Sequence, residues 1–164
     1  MEGPATWAWP IGRFLEIDMR LDIRELALSD VDLFRILEWL TSKRADLKLH
    51  SAEFTPQGVT TKGTLKSPLG ALSYEMVWAL SLEGGVVISK LSNLKLGQSL
   101  PIPFLKSIVI EQIHSLLKGI PGVESKGDCI RITGKHVLES QGASLTSELV
   151  SLELTHGELR AGFE

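Results

Sequence analysis

Four histidines, one cysteine and many scattered carboxylates are the side chains of this chain that could do chemistry. His50, His114, His136 and His156 stand far apart, and none lies at His-x-His or His-Glu-x-x-His spacing, so two imidazoles do not meet locally on one metal. His114 falls on the polar side of a helical stretch, where solvent exposure is expected. A single cysteine, Cys129, rules out an intramolecular disulfide and a structural zinc site built on cysteines. Within Cys129-Ile130-Arg131-Ile132 it reads as a small core residue, with no neighbour that would activate a thiolate. No glycine-rich phosphate loop is present, and Gly142-Ala143-Ser144-Leu145-Thr146 lacks the second glycine of a nucleophile elbow. The carboxylates alternate with apolar residues or open a helix, which makes them solvated faces. The expectation is a protein that is not an enzyme, with no catalytic residue, metal ligand or cofactor assigned.

What remains is apolar surface, and two elements carry most of it. Ile102, Leu105, Ile108, Val109, Ile113, Leu116, Leu117 and Ile120 recur at i, i+3, i+4 spacing, predicting a long helix at about 103–118. Pro101 and Pro103 suit its start, and Gly119 with Pro121-Gly122 suits its end. Upstream, Leu72, Tyr74, Met76, Trp78, Leu80 and Leu82 alternate with Ser73, Glu75, Val77, Ala79, Ser81 and Glu83. Such a strand spans roughly 35 Å at ~3.3 Å per residue, long for a globular protein. Leu72, Tyr74, Met76, Trp78 and Leu80 are expected to face the long helix, with Ser73, Glu75 and Ser81 turned outward.

Other strands are predicted at 15–24, 46–54, 59–66, 86–96, 128–133, 143–155 and 158–163. The alternation of 15–24 shifts phase at Glu25, where Leu26 and Leu28 restart it as a bulge or bend would require. Ser29 or Asp30 caps a shorter helix running to about Lys43, with a stripe of Leu33, Ile36, Leu37 and Leu40. The fold class expected is therefore α+β: a curved, mostly antiparallel sheet wrapped around one long helix, with a second, shorter helix near the N-terminus. Residues 1–13 form an aromatic arm carrying Trp7 and Trp9, and residues 14–164 a single domain.

Composition sets the class of partner. At 164 residues and 43% apolar content the chain can bury a core unaided. A net charge of −3 disfavours generic phosphate-backbone contacts, so nucleic acid is not an expected partner. No signal peptide is visible and no run approaches the ~18–20 apolar residues of a membrane span. The location stays open between the cytoplasm and a trimmed exported or membrane-anchored domain. Nothing in the pattern bears on oligomeric state.

Order and punctuation together resemble a known group. Leu28-Ser29-Asp30-Val31-Asp32-Leu33 opens the first helix, and Phe54-Thr55-Pro56-Gln57-Gly58-Val59-Thr60-Thr61-Lys62-Gly63 turns the meander. Leu94-Lys95-Leu96-Gly97 and Leu100-Pro101-Ile102-Pro103 lead into the long helix, and Ile120-Pro121-Gly122-Val123 leaves it. In these features the chain resembles the tubular lipid-binding (TULIP-like) superfamily, in particular its small bacterial phospholipid-binding domains. The resemblance implies a strongly curved sheet around the long helix, acyl chains in an apolar seam, and no catalysis. Such proteins usually carry an export signal or anchor. The chain also lacks the basic cluster a lipid headgroup would favour. The function expected is non-catalytic binding of a lipid, fatty-acid-like or other long apolar ligand, with membrane-surface contact as a second partner. A ligand tunnel would be lined by Met76, Trp78, Leu105, Ile108, Val109 and Ile113. The alternative is an interaction domain of the same shape with a filled core, working through a sheet edge or the Trp7/Trp9 arm.

Overall fold

The computed structural model describes residues 19–21, 23–68, 70–97, 102–140 and 142–164, apart from the side chains of 19–21, 102–105 and 143. The aromatic arm at 1–13, the first part of the strand expected at 15–24, and Pro101 lie outside the described residues.

Alternation in the middle of the chain becomes a meander of β3 (Leu47–Thr55), β4 (Gly58–Ser67), β5 (Gly70–Glu83) and β6 (Val86–Leu96), all antiparallel. The turn between β3 and β4 requires its glycine: Gly58 has φ of +141°, and a Cβ there would collide with the Trp78 carbonyl. Beyond β6 the sheet is completed by β8 (Cys129–Ile132) and then β7 (Val123–Lys126). Two extra residues set the register of the inner face. His50 in β3 and Ser92 in β6 are skipped by the ladder, and each resets the alternation so that apolar residues on both sides of it turn inward. Rows then cross four strands: Phe54, Val59, Trp78 and Leu91; Ala52, Thr61, Met76 and Leu94; Leu49, Gly63, Tyr74 and Leu96.

The inward–outward alternation expected for β5 is the one observed, while α2 lies closest to β6 and β7. Tyr74, Met76 and Trp78 are buried, Leu72 and Leu80 half-buried, and Ser73 and Ser81 exposed. Glu75 lies on the other face, between Lys62 at 3.6 Å and Lys95 at 3.4 Å on the flanking strands. The hydrogen bond and charge of Lys95, with Lys62 adding to them, hold its carboxyl below the usual glutamate range.

A smaller antiparallel sheet of β10 (Leu149–Thr155), β11 (Glu158–Phe163) and β2 (Glu25–Ser29) packs Leu28, Leu152, Leu154 and Leu159 onto the large sheet's buried cluster. A parallel pair joins β1 (Met19–Leu21) to β9 (Ala143–Leu145). The strands thus divide among three sheets, where the sequence suggested one. The single strand expected at 143–155 is broken at 146–148. There the Ser147 hydroxyl donates to the Ile23 carbonyl at 3.0 Å, and Glu148 exchanges backbone bonds with Glu164. Leu26, expected to resume a buried alternation, is 42% exposed, because β2 has left the β1 line to pair with β11.

Helix α1 (Asp30–Thr41) starts where its capping residues demand. The Ser29 hydroxyl accepts from the Asp32 amide, and the Asp32 carboxylate accepts from the Ser29 amide at 3.0 Å, a reciprocal box. It ends before Lys43, whose ammonium sits 4.1 Å from the Trp39 ring centre. Helix α2 (Ile102–Leu117) brings Val109, Ile110 and Ile113 to the buried cluster and approaches β6 and β7 most closely. A third helix, α3 (Gly134–Ser140), was not legible, since Val137 and Leu138 alone give no period. Among the described residues no helix is long and apolar enough to cross a membrane.

Candidate functional site

The inner face of the large sheet carries most of the buried apolar cluster of the described residues, and its floor is set by β5. Trp78 packs between Val59 and Leu91, and Met76 between Thr61 and Leu94. Tyr74 lies across Gly63, where a side chain would strike the Tyr74 ring and the Lys48 carbonyl; the missing Cβ is what lets the ring lie flat. Burial pushes the Tyr74 phenol up to about 12, so it stays neutral at any physiological pH.

Of the six residues expected to line a tunnel, Met76, Trp78 and Val109 are buried in one cluster and Ile113 packs against it. Ile108 is half-buried and stands outside that cluster. The Leu105 side chain lies outside the described residues.

Thr61 on the sheet and Gln112 on α2 each hold a buried side-chain oxygen. Thr61, only 6% exposed, occupies the inner face of β4 between Ala52 and Met76. Gln112 stands on α2 one turn from Val109 and beside Ile113, on the helix's apolar stripe. Thr61 Oγ1 and Gln112 Oε1 are both buried without a hydrogen-bond partner among the described residues. An unmet buried oxygen costs on the order of 1–3 kcal/mol, so such groups are rare in native interiors. The sequence held a signal for each. Gln112 interrupts an apolar stripe at i+3 from Val109 and i+4 from Ile108, and Thr61 interrupts Val59, Gly63 and Leu65 at period two.

Elsewhere the side chains that could do chemistry stay dispersed. His114, expected to be exposed, is half-buried, and its Nε2 lies 3.0 Å from the Gly127 carbonyl in the turn between β7 and β8. The helix is closer to that turn than its polar stripe suggests. Cys129, expected in the core, is half-buried. His50 Nε2 lies 2.6 Å from Thr64 Oγ1, on the bulge of β3. Among the described residues no three histidine, cysteine or acidic side chains gather as a metal site would require.

A hollow of about 320 Å³, open to solvent, lies between α1 and the outer edge of β3, lined by Asp30, Val31, Phe34, His50, Ser51, Ala52 and Glu53. None of the six expected residues lines it. Of its two acids, Asp30 is already engaged: its Oδ1 accepts from the Phe54 amide at 2.7 Å. The hollow is a surface groove at a pinned corner of the sheet.

No protein-family model matches the chain, and no curated protein sequence matches it.

Proposed function

We propose that the protein binds a lipid or another long apolar molecule without catalysis. The ligand lies in a seam between the inner face of the β3–β6 meander and α2, with the sheet curved around that helix. The observation that carries the reading is the composition of the two walls. Met76 and Trp78 on β5 and Val109 and Ile113 on α2 meet in one apolar cluster. The charged residue of the same stretch of β5, Glu75, is paired on the opposite face. A membrane surface is the natural donor or acceptor of such a ligand. The burial of Met76, Trp78 and Val109 in one cluster also favours a second reading, an interaction domain of this shape whose core is filled.

One pair of measurements separates the two. Native mass spectrometry of freshly purified protein, before and after organic extraction, should show a bound mass that extracts as lipid. Val109→Trp should then abolish uptake of a fluorescent fatty acid while the melting temperature stays within about 2 °C of the parent. In a filled core the same change overpacks, costing roughly 1–3 kcal/mol. For a chain of this size that is a fall of about 2–12 °C. A clean apo mass, no uptake by the parent and that fall together would overturn the carrier and leave the interaction domain.

A further inference from the structure

Resting on the carrier reading, we infer that the seam takes an acyl lipid, recognised through its carbonyl group, and that the Thr61 hydroxyl is the group that donates to it. Thr61 is the one polar side chain in the row formed by Ala52, Thr61, Met76 and Leu94, in the middle of the sheet's inner face. It is more than nine-tenths buried, and its hydroxyl has no partner among the described residues. A strand threonine could return its hydroxyl to a nearby backbone carbonyl, as Thr155 and Thr55 do at their turns. Thr61 does not.

Helix α2 repeats the pattern independently. Gln112 stands on the apolar stripe of α2 with its Oε1 buried and unpartnered, one turn from Val109. A purely hydrocarbon ligand would leave both oxygens unmet. A carboxylic acid or ester carries an acceptor for Thr61. Burial favours the neutral form of such an acid, so no counter-charge is needed in the wall. Among the described residues the buried polar side chains are Thr61, Ser89 and Ser147, with no lysine or arginine.

The test compares two probes of equal chain length, a pyrene-labelled fatty acid and the corresponding pyrene-labelled alkane, titrated against the parent protein, Thr61→Val and Thr61→Ser. The parent should bind the acid more tightly than the alkane. Thr61→Val should weaken acid binding by roughly 2- to 12-fold, the worth of one net hydrogen bond, and leave alkane binding unchanged. Thr61→Ser, which keeps the hydroxyl, should retain the preference and covers the case in which the valine variant folds poorly. Equal affinity of the parent for both probes overturns the inference while leaving the carrier standing. So does a Thr61→Val protein that melts higher yet keeps its preference for the acid, the behaviour of a hydroxyl that meets only water. A parent that binds neither probe removes the carrier reading itself. A pyrene-labelled phosphatidylcholine, run alongside, tells a free acid from a glycerol ester as the natural source of the carbonyl.

Discussion

Replacing Asp30 with alanine tests how the two larger sheets are held at their shared corner. Asp30 opens α1, its Oδ1 accepts from the Phe54 amide at 2.7 Å, and its own amide donates to the Gly157 carbonyl at 3.2 Å. The Gly157 amide in turn donates to the Phe54 carbonyl at 3.0 Å. Asp30 thus joins the helix start to the edge of β3 through its carboxylate and to the turn between β10 and β11 through its backbone amide. Alanine keeps both backbone bonds and removes only the acceptor for Phe54, a residue 3% exposed, whose amide then has no partner. A hydrogen bond to a charged acceptor is worth about 1.5–3 kcal/mol. Losing an acid from a helix's first turn adds about 0.3–1 kcal/mol. Asp30 is itself half-buried, so water recovers part of this, and the lower end, about 2 kcal/mol, is expected. For a chain of this length that lowers the melting temperature by about 4–8 °C. Thermal unfolding followed by circular dichroism measures the drop. Amide hydrogen exchange should show Phe54 losing protection more than the interior of β4 and β5. Asp30→Asn, which keeps an acceptor oxygen, should lose less. A melting point within 1 °C of the parent, with Phe54 still protected, would mean that the carboxylate does not carry this junction.

Three other substitutions probe separate parts of the fold. Gly63→Ala drives a methyl into the Tyr74 ring and the Lys48 carbonyl, and overpacking of this kind costs roughly 1–3 kcal/mol; a urea midpoint equal to the parent's would contradict the ring-over-glycine contact. Glu75→Gln should lower the melting temperature at pH 7, and the gap should close as the pH falls below 4.5. Its folded pKa lies below the unfolded value of 4.5, so its contribution is present above that value and disappears as pH falls through the folded one; a gap that stays constant from pH 7 down to the acid limit of folding would refute this. Ser29→Ala removes the hydroxyl of the capping box at the start of α1 and should cost about 1 kcal/mol, read as a fall of about 2–4 °C.

Local pattern was enough for whatever depends on one stretch of backbone. Side chains on a strand alternate because of the pleat, so Tyr74, Met76 and Trp78 could be assigned one face and Glu75 the other before any partner was known. The start of α1 was equally legible, because Ser29 and Asp32 bond within three residues of each other. So was α2, whose stripe repeats over four turns. Partner choice is a different kind of information. The pairing of β1 with β9 joins Met19 to Ala143, and the turn of β2 toward β11 leaves Leu26 facing solvent; neither follows from the period of the strands involved. The division at 146–148 depends on Ile23 and Glu164, far away in sequence, accepting the bonds that a continuous strand would have made elsewhere. The candidate site divides in the same way. The burial of Met76, Trp78 and Val109 was readable, since burial follows hydrophobic periodicity. The unmet oxygens of Thr61 and Gln112 were not, because a polar group's satisfaction depends on every atom within hydrogen-bond reach, and those atoms come from chain segments that only the tertiary structure brings together.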